Sequence, residues 1–172
     1  MSLNERRTSS QTPLQDLEGI ITPSDLHFER HHGGVPAIDP TRYSLLVHGM
    51  VERPLVFTLD DLKRFPARSV IRFLECSGNG GRAYRRESVS PTLTPQQIDG
   101  LTSTSEWTGV PLATLFREAG ASPKAKWFLA EAMDAAVLTR SIPMEKALDD
   151  ALIVYAQNGE ALRPETDRKS VV

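Results

Sequence analysis

A single cysteine, Cys76, stands in this chain of 172 residues, and that count limits how the fold can be held together. One thiol cannot form an internal disulfide, and one is too few for a structural zinc site. Stability must come from a hydrophobic core, and 172 residues with 40% hydrophobic content are enough for one ordinary domain.

Cys76 lies in Phe73-Leu74-Glu75-Cys76-Ser77-Gly78-Asn79-Gly80-Gly81. The apolar run Val70–Leu74 reads as a strand that delivers the thiol to the mouth of a glycine-rich loop. Three fates are open to it: a packed hydrophobe, a nucleophile, or one thiolate ligand to a cofactor. A packed thiol is the commonest of these, and the place of Cys76 where a strand becomes a loop weakens that preference.

The net charge of −2 gives no reason to expect a nucleic-acid or anionic-membrane partner. No window is apolar for long enough to predict a membrane span. Arg6-Arg7 near the start is not followed by an apolar stretch, so no signal peptide is visible.

Residues 1–15 are polar and aperiodic and predict a disordered lead-in. Ile20 to Pro40 reads as an ordered, irregular loop. Tyr43–Val47 and Leu55–Phe57 read as strands. Thr58 then caps a helix carrying Asp60 and Asp61 at its start and Lys63 and Arg64 at its end, with Pro66 as the stop. Ser69–Glu75 leads to Cys76, and Gly80–Leu101 reads as a long polar loop. After Trp107–Val110, Pro111 opens a helix that ends at Gly120. Lys126–Glu131 and Val137–Ile142 read as strands and Met144–Leu148 as a short helix. Leu152–Ala156 is an apolar strand that meets an Asn158-Gly159 turn. Beyond that turn the pattern shows no return strand of useful length. The expected class is α+β, with mixed sheets and short helices and an incomplete C-terminus.

The second informative patch is His27-Phe28-Glu29-Arg30-His31-His32-Gly33-Gly34-Val35-Pro36. Neighbouring His31 and His32 would point oppositely on a strand, which does not suit a zinc site. Arg30 with a histidine suits an oxyanion such as phosphate, sulfite or sulfate. A cysteine hydrolase pairing Cys76 with His31 or His32, oriented by Asp25 or Asn79, is a further reading. The cluster Arg82, Arg85, Arg86 reads as a solvated face or an anion funnel.

Taken in order, Phe28–Pro36, Leu74–Asn79, Trp107-Thr108-Gly109-Val110-Pro111-Leu112, Ser141-Ile142-Pro143 and Tyr155–Leu162 resemble the molybdopterin domain of the sulfite oxidase family. Within it they are most similar to the sulfite dehydrogenase catalytic subunits of bacterial sulfur-oxidising systems. The likeness runs from about Thr12 to Glu165, read as one partial oxidoreductase molybdopterin-binding domain over residues 16–165 with a non-matching tail at 166–172.

The resemblance implies a molybdenum–molybdopterin cofactor whose metal is ligated by Cys76, the pterin dithiolene supplying the other sulfurs. By the same likeness, Phe28, Arg30 and His32 bind the pterin and its phosphate, and Asp134 hydrogen-bonds the pterin. Ser77, Gly78 and Asn79 form the turn around the metal. Arg30 also faces the oxyanion pocket, Arg82 is a substrate-binding arginine, and His31 stands where many relatives carry asparagine. The implied activity is oxidation of sulfite, or a related small oxyanion, to sulfate, with electrons passed to a c-type cytochrome subunit in the periplasm. Relatives continue past Glu165 into the rest of the cofactor cradle and a sandwich-like dimerisation domain. Here the chain reads Thr166-Asp167-Arg168-Lys169-Ser170-Val171-Val172, so the expectation is a truncated member without the dimerisation domain, with reduced or no turnover.

Overall fold

The computed structural model describes residues 9–35, 37–81, 93–132 and 137–164. Among these the chain divides into two compact units. One lies within Met1–Val35 and Ile71–Glu106, the other within Pro36–Val70 and Trp107–Val172. Mixed small sheets and short helices make up both, as the α+β expectation held.

In the second unit, β3 (Ser44–Val47) and β4 (Leu55–Thr58) form an antiparallel hairpin with Leu45 opposite Phe57. Alternation buries Val47 and Phe57 and leaves Leu46 and Val56 exposed on the other face. Thr58 then starts α1 (Leu59–Arg64). Its hydroxyl accepts the Asp61 amide while the Asp61 side chain accepts the Thr58 N–H, a reciprocal capping box. The hydrogen bond from the Thr58 hydroxyl is the main reason the Asp61 carboxyl sits below its ordinary range. Leu62, 1% exposed, is the core anchor of this helix.

Pro111 ends β6 (Thr102–Pro111) and opens α3 (Leu112–Ala119), whose buried face is Leu112, Leu115, Phe116 and Ala119. Gly120, at φ 68°, takes the left-handed conformation that closes the helix. The ribbon of β7 (Trp127–Glu131) and β8 (Thr139–Pro143) turns Phe128 inward against Phe116, edge to face at 5.4 Å. Next comes α4 (Met144–Asp149), which buries Ala147, and then β9 (Leu152–Gln157). Leu62, Val110, Leu115 and Ile153 lie in one core cluster. Each such side chain, removed from water, contributes about 1.5–3 kcal/mol before entropy is counted.

β6 pairs antiparallel with β9, and the register shifts between Thr108 and Gly109. A Cβ on Gly109 would lie 2.2 Å from the Ile153 carbonyl oxygen, so only glycine allows this approach. The expectation of no return strand of useful length agrees with the short strand that follows the turn. Asn158 (φ 52°) and Gly159 (φ 79°) make the tight turn, and β10 (Glu160–Ala161) pairs with Gln157 and Ala156. The Leu162 amide extends the hairpin by donating to the Tyr155 carbonyl at 3.3 Å. The return strand is two residues long, shorter than hydrophobic alternation can signal.

Two expectations change in the first unit. Instead of a disordered lead-in up to residue 15, β1 (Ser9–Ser10) pairs with β2 (Glu29–Arg30), Ser9 opposite Arg30. Thr12 has no exposed surface, and its amide donates to the Gly100 carbonyl at 2.8 Å. Gln96 accepts the Leu14 amide and donates to the Thr12 carbonyl. Gln96 and Gly100 lie more than 80 residues from Thr12 and Leu14, so no local pattern could reveal them. Within the expected loop 80–101, α2 (Pro95–Asp99) has its own capping box between Thr94 and Gln97. β6 likewise begins at Thr102 rather than Trp107.

Candidate cofactor site

β5 (Arg68–Glu75) carries the chain to Cys76, and the strand ends there because the next residues turn. The Asn79 amide donates to the Cys76 carbonyl at 2.8 Å, and the Gly81 amide to the Gly78 carbonyl at 3.4 Å. Cys76 is half-buried, and the Gly78 amide donates to its sulfur at 3.4 Å. The site of a Cβ on Gly78 would be 3.7 Å from that sulfur, and around the Cβ site of Gly81 there is open space. The thiol therefore sits at the mouth of a turn, neither sealed in hydrocarbon nor stranded on the surface.

Three successive residues, from the last before β6 into that strand, organise the first unit. The Leu101 carbonyl accepts the Cys76 amide at 3.0 Å, and the Leu101 amide donates to Asn79 Oδ1 at 3.2 Å. Thr102 Oγ1 accepts from Asn79 Nδ2 at 2.9 Å. Ser103 Oγ accepts the Phe28 amide at 3.0 Å and shares a 2.5 Å hydrogen bond with Thr12 Oγ1. The two segments singled out in the sequence, Phe28–His32 and Cys76–Asn79, are thus fastened to neighbouring positions of one stretch of chain.

Along the first segment His27 is buried, stacks on Phe28 at 5.0 Å and pairs its Nδ1 with the Phe28 carbonyl. Burial pulls its pKa below the ordinary histidine value, only partly offset by that backbone bond. Arg30 is half-buried on β2 and His32 exposed. His31 has no exposed surface, and its Nε2 lies 3.3 Å from the Glu29 carboxylate. A hydrolase would need an imidazole on the thiol, whereas the hydrogen bond to the Cys76 sulfur comes from the Gly78 amide. Ser77 and Gly78 are exposed, while the Asn79 side chain is spent on internal bonds. Arg82 and Asp134 lie outside the described residues.

A dithiolene-bearing pterin brings its own sulfurs and asks of the protein one soft thiolate, planar polar contacts and a cation for its phosphate. The donor chemistry here fits: one accessible thiol beside glycines, with a guanidinium and an imidazole in the segment tied to the same strand. Cys76 would ligate the metal, and Phe28, Arg30 and His32 would hold the pterin. When bound, the group supplies a two-electron redox centre capable of oxygen-atom transfer. Sequence reasoning missed Leu101, Thr102 and Ser103, which carry no chemical signature and act through position. An apolar hollow lined by Ile38, Tyr43, Leu62, Tyr155 and Leu162 belongs to the second unit and includes none of these residues.

Residues 32–166 match the model of the family described as the oxidoreductase molybdopterin binding domain. Among curated proteins, an NADH nitrate reductase of Solanum lycopersicum is 34% identical over 172 residues, covering 91% of this chain and 19% of its own length. A second, from Nicotiana tabacum, is 36% identical with the same coverage. Among solved structures, the sulfane dehydrogenase SoxCD of Paracoccus pantotrophus superposes with a TM-score of 0.88 at 42% identity. That match covers 96% of this chain and 42% of the other. The chain thus spans about a fifth of the curated relatives and under half of the solved one. This chain belongs to the oxidoreductase molybdopterin-binding domain family of the sulfite oxidase type, enzymes whose cofactor is molybdenum held by molybdopterin.

Proposed function

We propose that this chain is the molybdenum-cofactor portion of an enzyme that oxidises sulfite to sulfate in the periplasm and passes electrons to a c-type cytochrome. Sulfite and water yield sulfate, two protons and two electrons, and the electrons leave singly to haem. The observation that carries this reading is the 42% identity over 96% of the chain to a bacterial sulfane dehydrogenase. Arg30, beside the segment tied to Ser103, supplies the cation a sulfur oxyanion requires, and Cys76 the thiolate ligand. Arg82 and Asp134 complete the proposed substrate and pterin contacts.

A second reading, nitrate reduction, is favoured by the nitrate reductases at 34% and 36% identity. Both start from one preparation: the purified chain, assayed for molybdenum and pterin. Sulfite-dependent reduction of cytochrome c supports the first reading. Nitrate-dependent oxidation of a reduced viologen, without sulfite turnover, replaces it with the second. Absence of both molybdenum and pterin overturns cofactor binding by this chain.

A further inference from the structure

Asn79 does more than occupy the cysteine turn. Its main-chain amide closes that turn on the Cys76 carbonyl at 2.8 Å. Its side-chain carbonyl accepts the Leu101 amide, and the Leu101 carbonyl in turn accepts the Cys76 amide. One residue's backbone therefore grips both ends of the four-residue turn. The Asn79 amide nitrogen, with two hydrogens, faces three acceptors: Glu75 Oε1 at 3.0 Å, Thr102 Oγ1 at 2.9 Å and the Asp99 carbonyl at 3.3 Å. This arrangement fixes which end of the side chain faces which partner, because Leu101 offers a donor and the other three offer acceptors. Every polar atom of the Asn79 side chain is engaged within the first unit.

We propose that Asn79 is the positioning residue of the Cys76 thiol: by locking the turn 76–79 onto Leu101 and Thr102, it sets the direction in which the sulfur faces. The proposal rests on the reading of Cys76 as the metal's thiolate ligand, since a rigid turn holds that sulfur where a ligand must be met. Asn79 acts through Cys76, its side-chain polar atoms being spent on Glu75, Asp99, Leu101 and Thr102.

The test uses the intact chain without cofactor and reads the time course of Cys76 alkylation by iodoacetamide at one fixed pH, together with thermal unfolding. Asn79→Ala is expected to change the alkylation rate by about fivefold or more, because the Gly78 amide no longer stays on the sulfur. Thr58→Ala, which removes the α1 capping box, is the control; it lowers the unfolding temperature and leaves the alkylation rate at wild type. Asn79→Asp keeps the acceptor for Leu101 but sets a carboxylate against Glu75, and should change the rate. Adding Glu75→Gln to it restores a donor to that contact and should return the rate toward wild type. If both single Asn79 variants are alkylated at the wild-type rate, Asn79 is only a structural residue and the proposal fails. Failure of the double variant to recover overturns it as well. Molybdenum content of Cys76→Ser separates the two questions: retention of the metal there defeats the ligand reading, whatever the alkylation shows.

Discussion

Phe28 and Ser103, 75 residues apart, are joined by one hydrogen bond: the Phe28 amide donates to the Ser103 hydroxyl oxygen at 3.0 Å. Ser103 is 2% exposed and also holds Thr12 at 2.5 Å, so a single hydroxyl ties two distant segments to β6. Removing it would strand a backbone amide and a buried threonine hydroxyl. Ser103→Ala should cost about 1–3 kcal/mol in urea unfolding and weaken pterin retention, since the Phe28–His32 segment loses its tether. A loss under 0.5 kcal/mol by the same measurement would show that water replaces the hydroxyl.

Cys76→Ser exchanges a soft sulfur for a hard oxygen at a half-buried position. Stability should change by less than about 1 kcal/mol, because no tight packing is lost. Molybdenum should fall to background in elemental analysis, while the circular dichroism spectrum stays that of the parent. Retained metal would remove Cys76 from the ligand set.

Gly109→Ala places a methyl 2.2 Å from the Ile153 carbonyl and 2.6 Å from the Val154 Cα, both backbone atoms that cannot swing aside. The β6–β9 pairing must open to admit it. Overpacking of this kind costs about 1–3 kcal/mol, and a backbone clash belongs at the upper end. Denaturant titration of the variant is the check; an unfolding midpoint equal to the parent's would mean the strands separate freely at this bulge.

His27 gives the fold a pH dependence whose sign follows from its burial. Its folded-state pKa is lowered, so the unfolded chain binds the proton more readily. Stability from this group is complete above the unfolded value of about 6.5 and is lost as pH falls below it, by at most about 1.4 kcal/mol per pH unit. Unfolding followed from pH 8 to pH 5 should show this slope, and His27→Asn should flatten it. An unchanged slope in the variant would assign the effect elsewhere.

Much of the second unit was legible in order along the chain. Thr58, Asp61 and Pro66 announce a helix by capping chemistry, and Pro111 to Gly120 does so by a proline start, an apolar face and a left-handed stop. Asn158-Gly159 announces its turn because few other pairs accept two positive φ angles. These signals are local, carried by residues within a few positions of one another. Cys76 announced itself by being alone at the end of a strand, and its resemblance to the family followed from the order of short motifs.

What the sequence alone determined, then, is local conformation, the identity of the one soft donor and the family. Tertiary structure decided the rest. Ser9 to Leu14 is ordered only because Arg30, Gln96 and Gly100 meet it, and α2 sits inside a stretch whose composition reads as loop. The roles of Leu101 and Ser103 come from a main-chain donor and acceptor and a common hydroxyl. A hydrogen bond across 75 residues has no periodicity and no preferred residue pair, so it exists only once the chain has brought its partners together.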